Sequence, residues 1–249
     1  MFLVLFKSLV IIAFRILQEG QDGSPLALFH ENGPFHIENN LSLPWNYYGW
    51  DKASNIIFVD QLTGTGFSCK TDPSDIRNDE NGVSNDLYDF LQGFAIGNGL
   101  TQPDIQFKAY ADFALENKLI QKSDYDSINE LIPVCEQAIT DCGIPALLED
   151  GIRLLIYAGE EDLICNWLGN SRWVNALAWS GKKKATGEAP TVPFVVEGKK
   201  AGQLKSLGFL KVHNAGHFVP MDQPKAALTM LKSWLQGNLS PPGNLRLLF

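Results

Sequence analysis

The chain has 249 residues, 45% of them apolar and 19% charged, which is enough for a sizeable core and sets one domain as the default expectation. Its 28 acidic residues outweigh 20 basic ones, for a formal charge of -8 that works against attraction to a phosphate backbone or an anionic membrane. Nucleic acid is therefore not an expected partner. Four cysteines, Cys69, Cys135, Cys142 and Cys165, are too few for a disulfide scaffold, and none stands in a C-x-x-C pair of the zinc or redox type.

Met1 to Leu17 is apolar apart from Lys7 and Arg15, and no uncharged apolar run long enough to cross a bilayer occurs, so no membrane span is expected. The core of this stretch, Leu9 to Phe14, is short for a signal h-region, and no clean small-x-small cleavage site follows. A weak signal peptide and a non-native leader both fit, and residues 1–25 are set apart from a domain covering 26–249. Leu26 to Trp50 is rich in Gly, Pro, Asn and aromatic residues and reads as loops, with Glu31-Asn-Gly-Pro34 as a tight turn. It contains the first of two Asn-x-Ser glycosylation sequons, at Asn40; the second is at Asn238.

Ile56 to Val59 has the β-branched and aromatic content of a buried strand. The Gly64-Thr-Gly66 that follows lacks the Gly-Lys-Ser/Thr ending of a phosphate loop and the third glycine of a dinucleotide fingerprint, and is read as a turn leaving the sheet. Val83 to Gln92 has helical spacing and runs almost directly into a second strand, Phe94 to Gly99. Two short helices are predicted at Tyr110 to Asn117 and Ser123 to Leu131, the latter opening on Ser123 as a cap. Ile152 to Tyr157 is the clearest buried strand, and its exit turn, Ala158-Gly-Glu-Glu-Asp162, delivers a carboxylate at the strand's carboxyl end. Phe194 to Val196 and Leu207 to Val212 read as further strands, and Pro224 to Gln236 as a helix stopped by Gly237. Alternating strands and helices predict a mostly parallel α/β sheet with flanking helices.

Acyl transfer needs a base that takes the nucleophile's proton and a carboxylate that holds the imidazole in the productive tautomer. Asp162 and His217 are candidates, because each follows a strand and they stand in the order acid then histidine used by α/β-hydrolases. Taken singly, each is equally a turn residue. His213 and His217 also form an H-x-x-x-H spacing, but Gly216 and Pro220 argue against the helix a zinc pair of this kind needs, and no metal or other cofactor is expected.

Several blocks in one order give these residues a context. Glu31-Asn-Gly-Pro-Phe35, Asn55-Ile-Ile-Phe-Val-Asp-Gln61, Gly64-Thr-Gly-Phe-Ser68, Gly93-Phe-Ala-Ile-Gly-Asn-Gly99, Ile164-Cys-Asn-Trp-Leu-Gly-Asn170 and Ala215-Gly-His217 with Val219-Pro220 resemble serine carboxypeptidases, above all the plant serine carboxypeptidase III-like group, across roughly residues 26 to 240. The resemblance implies an α/β-hydrolase that removes C-terminal residues from peptides, in a vacuolar or secretory compartment. Residue by residue, it makes Asp162 and His217 the catalytic acid and base. It makes Glu31 a binder of the substrate's terminal carboxylate, which requires a shared proton and favours acid pH, and it places Cys165 by the leaving-residue pocket. It leaves Cys135 and Cys142 free to pair locally.

The chain departs from the family where chemistry matters most. No serine before Asp162 lies in Gly-x-Ser-x-Gly; Ser68 sits in Gly-Phe-Ser-Cys, and Cys69 has no strand-to-helix elbow to present it. The family's nucleophile elbow belongs between Gln92 and Gly93, which are adjacent here, and its oxyanion segment is replaced by Gln18 to Pro25. At Cys142-Gly-Ile144 most of the lid insertion is gone, and Phe218 follows His217 where the family has Met. An incomplete hydrolase fold is expected, without the N-terminal strands, the elbow strand and most of the lid, and with negligible peptidase activity. A non-catalytic module that pairs with a full-length homologue is the alternative.

Overall fold

The computed structural model describes residues 9–15, 27–61, 72, 93–98, 101–136, 148–149, 153–178, 191–205 and 208–239. The expected helix over Val83 to Gln92, the Gly64-Thr-Gly66 turn, Ser68, Cys69 and Cys142 lie outside the described residues, as does the side chain of Cys135. The chain divides into two compact units, Met1–Leu91 with Pro224–Gln236, and Gln92–Gln223 with Gly237–Phe249.

In the first unit, β1 (Leu9–Arg15) pairs in parallel with β2 (Asn55–Gln61), from Leu9 opposite Asn55 to Arg15 opposite Gln61. The apolar run read as a leader thus contains a strand, its Leu-Val-Ile-Ile sequence matching the Ile-Ile-Phe-Val of β2. Between them Phe35 and Trp45 form a single antiparallel bridge, their rings edge to face at 4.9 Å, at the base of an arm that reverses near Asn39 and Asn40. Asn40 Oδ1 accepts the Ser42 N–H at 2.9 Å, closing that reversal. One helix of this unit, Pro224–Leu235, buries Ala226, Ala227, Leu228, Met230 and Leu231 on one side and ends before Gly237, which takes the left-handed φ of +71°.

The second unit is built on a five-stranded sheet in the order β3-β4-β7-β6-β5. Strands β3 (Gly93–Gly97), β4 (Arg153–Gly159) and β7 (Phe209–Val212) are parallel, and β6 (Lys199–Lys205) runs antiparallel both to β7 and to its hairpin partner β5 (Val192–Val196), which therefore points the same way as β7. As expected, four of the five strands run one way; the sheet is mixed because Lys199–Lys205, unrecognised in the sequence, folds back. Its two-residue turn, Glu197 at φ +48° and Gly198 at +76°, has the primed geometry that matches strand twist. Strand β4 is buried along all but its first residue, as its Leu-Leu-Ile-Tyr-Ala sequence requires, and each of its large side chains contributes roughly 1.5–3 kcal/mol.

Numbered along the chain, the second unit's helices are α1 (Pro103–Glu116), α2 (Lys122–Glu136), α3 (Trp167–Ala176) and α4 (Val219–Asp222), and the helix Pro224–Leu235 is α5. Trp173, Val174 and Leu177 pack with Leu154, Ile156, Ala158 and Phe209 to make the core. Helix α1 starts seven residues earlier than predicted. Pro103 opens it, and the buried Gln106 turns its Oε1 back onto the Thr101 and Gln102 N–H groups at 2.7 and 2.8 Å. Ser123 does not cap α2; the Asp124 carboxylate does that work by accepting from the Gln121 N–H at 2.9 Å.

Candidate active site

The site is assembled where three parallel strands end side by side. Residue Asn98 follows β3, Asp162 lies three residues beyond β4, and His217 follows β7 by five. Backbone pairing continues past the strands, from Asn98 N–H to Tyr157 O (2.8 Å), Glu160 N–H to Val212 O (2.9 Å) and Glu161 N–H to Ala215 O (2.9 Å). Gly159 makes this closeness feasible, since a Cβ there would collide with the carbonyl oxygens of Ala215 and Gly216. The His217 loop is pinned from its other side, where Asp222 Oδ2 accepts the Gly216 N–H at 2.7 Å and Gln223 Nε2 donates to Asn214 O at 2.9 Å.

His217 Nδ1 lies 2.8 Å from Asp162 Oδ2. The same oxygen accepts from Asn98 Nδ2 at 2.6 Å, and Asp162 Oδ1 accepts the backbone N–H groups of Ile164 and Cys165 at 3.0 and 3.1 Å. The carboxylate side chain is 4% exposed and the imidazole 50%, so the pair has a dry end and a wet end. Burial pushes the Asp162 carboxyl upward, but bonds from His217 and Asn98, the imidazolium charge and the Cys165 N–H outweigh it and hold it below its usual range. The hydrogen bond to Asp162, then one to Cys165, pushes His217 up to about 10. At neutral pH the pair is carboxylate and imidazolium. Such a ring can give a proton; to act as a base it must first lose one.

The structure brings together Asp162, His217 and Cys165, each singled out in the sequence, and adds Asn98 and Tyr110, which were not. Asn98 is buried in a left-handed conformation (φ +45°), with its Oδ1 accepting the Gly159 N–H at 3.4 Å; a polar residue directly after a strand-like apolar run, between two glycines, was the available signal. The Tyr110 phenol is held up at about 12, mainly by burial and further by its neighbours Cys165 and Asp162. His213 does not share a site with His217; its Nδ1 lies 2.7 Å from Glu160 Oε2, and Lys211 donates to Glu160 Oε1 at 2.9 Å. Burial raises the Glu160 carboxyl, and these two partners lower it further than that.

In the first unit Glu31 is buried, beside Asn32. Asn40 and Asn238 are exposed; Ser240 of the second sequon lies outside the described residues. Among the described residues no helix is long and apolar enough to cross a membrane.

A serine carboxypeptidase family model matches residues 23–95, 90–144 and 136–237. The chain belongs to the serine carboxypeptidase family. Serine carboxypeptidase-like 48 of Arabidopsis thaliana is 40% identical over 362 aligned positions, covering 88% of this chain and 71% of that protein. Serine carboxypeptidase 3 of Oryza sativa subsp. japonica is 42% identical over 357, covering 87% and 71%. Both alignments exceed the 249 residues of this chain, so the relatives carry internal residues with no counterpart here. The three matched pieces meet at 90–95 and 136–144, where the family's elbow and lid segments were found wanting in the sequence. The serine carboxypeptidase fold is also that of Kex1(delta)p, a prohormone-processing carboxypeptidase from Saccharomyces cerevisiae, which superposes with a TM-score of 0.73 at 18% identity, covering 92% of this chain and 82% of that one.

Proposed function

We propose that this chain is a serine carboxypeptidase homologue that retains the acid and base of the triad, Asp162 and His217, but does not hydrolyse peptide bonds. The observation that carries this reading is an oriented imidazole, 2.8 Å from its carboxylate, in a sequence with no Gly-x-Ser-x-Gly to supply the hydroxyl it would deprotonate. A triad without its nucleophile falls back on oxyanion stabilisation, and the segments that would provide those N–H donors are replaced or missing. Peptide C-termini are the substrate class by family, with Glu31 as the side chain that would share a proton with the terminal carboxylate.

The purified full chain, incubated with blocked dipeptides at acid pH, is expected to release no C-terminal residue above background and to take no label from a serine-directed phosphonate. Release that Asp162→Asn and His217→Gln both abolish would overturn the reading. By the same resemblance the chain enters the secretory pathway, vacuolar or extracellular, and Asn40, exposed at the end of its arm, and Asn238, also exposed, are the sequons open to modification. Chain recovered from a plant secretory host should lose mass on deglycosylation, and Asn40→Gln with Asn238→Gln should remove that shift.

A further inference from the structure

The turn after β4 and the loop after β7 bring together three different donor types. A carboxylate oxygen of Asp162, the thiol of Cys165 and a ring nitrogen of His217 all lie within 4.8 Å of one another. Oxygen, sulfur and imidazole nitrogen are the ligand set of zinc-type ions, and three protein ligands with an open fourth position is the arrangement of a zinc site that keeps a water. We propose that Asp162, Cys165 and His217 bind one thiophilic divalent cation of zinc's chemistry. The inference rests on their juxtaposition and not on the hydrolytic reading.

Several features favour this site over a chance grouping. Zinc–ligand bonds of about 2.0–2.3 Å place tetrahedral donors roughly 3.3–3.8 Å apart, so the three groups need only small rotations to close on an ion. Two of the ligands come from one rigid turn, because Asp162 Oδ1 is bonded to the Cys165 N–H itself. The carboxylate is steadied from behind by Asn98 Nδ2 at 2.6 Å, the outer-shell support that metal-bound carboxylates characteristically have. Asp162 and Cys165 are buried while His217 is half exposed, so the protein side of the ion would be dry and its remaining position would face water.

The balance of the binding step is simple. The cation replaces the proton on His217 Nδ1 that faces Asp162 and the proton of the Cys165 thiol, and both protons pass to solvent. The ring becomes a neutral ligand and the sulfur a thiolate, so two anionic ligands neutralise the charge of the ion. The H-x-x-x-H spacing considered in the sequence does not contribute, since His213 is bonded to Glu160. What completes the set is Cys165, which lies 52 residues from His217 by their numbers and meets it only through the parallel pairing of β4 and β7.

Cobalt(II) is the probe, because it takes zinc's geometry and reports a coordinated thiolate by charge-transfer absorption in the near ultraviolet. Titrating the purified full chain should raise this band to saturation at one equivalent, and zinc should remove it. The Cys69→Ser, Cys135→Ser, Cys142→Ser triple variant, in which Cys165 is the remaining cysteine, should keep the band, and Cys165→Ser should lose it. His217→Gln should weaken affinity at least tenfold, and Asn98→Ala by about tenfold through the outer shell. No band, or a band that survives Cys165→Ser or vanishes in the triple variant, would overturn the site.

Discussion

The Asp162–His217 corner and the arm between Asn32 and Ser54 are both polar and aromatic, yet they are finished to different standards. At the corner both oxygens of Asp162 are bonded, and the sheet brings its partners together. The segment from Asn32 to Ser54, which flanks the arm on both sides, contains four of the five buried side-chain atoms that have no hydrogen-bond partner among the described residues: Asn32 Oδ1, Trp50 Nε1, Asp51 Oδ1 and Ser54 Oγ. It also exposes Ile37, Leu41, Leu43, Trp45, Tyr47 and Tyr48. The corner is satisfied by residues within one unit, so it survives the loss of other segments. The segment carrying the arm is the less fully satisfied of the two and shows more exposed apolar surface.

This contrast predicts unequal costs. The largest is expected for Asp162→Ala, which strands Asn98 and two backbone N–H groups at a buried position and removes the partner of a half-exposed imidazolium, and should lower stability by about 3 kcal/mol in urea titrations. A cost below that of an arm variant would break the comparison. Next comes pH. Because His217 is raised from 6.5 to about 10, its pairing stabilises fully below its ordinary value and is lost as pH rises toward and through 10. Asp162, lowered, works in the opposite sense, stabilising above its ordinary 3.8 and failing as pH falls through its lower folded value. Urea midpoints should therefore decline from neutral to strongly alkaline pH, and His217→Gln should flatten that limb. The smallest effect belongs to Trp45→Ala. Its ring meets Phe35 at 4.9 Å and Lys52 Nζ at 4.1 Å but is half exposed, so about 1 kcal/mol is expected from the same titration.

What the sequence disclosed follows the same physical line. Strands β4 and β7 were legible because burial on both faces demands unbroken apolar runs, β2 and β3 because their own sequences carry short runs of that kind, and α5 because Pro224 and Gly237 punctuate it. Strand β6 was not, since Lys-Lys-Ala-Gly-Gln-Leu-Lys has no such run and is held by its hairpin turn and by pairing with β7. The first turns of α1 escaped notice because the side chain that satisfies them, Gln106, lies inside the helix rather than ahead of it. In the site, Asp162 and His217 could be found through motif blocks and strand ends. Asn98 acts through a left-handed backbone and a contact 64 residues away, and nothing local encodes that.

Asp162 does two jobs with separate oxygens. Oδ2 holds the histidine, and Oδ1 ties down the backbone that leads through Cys165 to Asn166, whose side chain caps α3 at the Gly169 N–H. A lineage that stopped cleaving peptides would still be penalised for losing this aspartate, because the loop and the start of the helix depend on it. His217, half in water, would be far freer to drift. An intact aspartate in a degenerate relative is thus a record of folding constraint, and the histidine is the residue whose persistence reports on use.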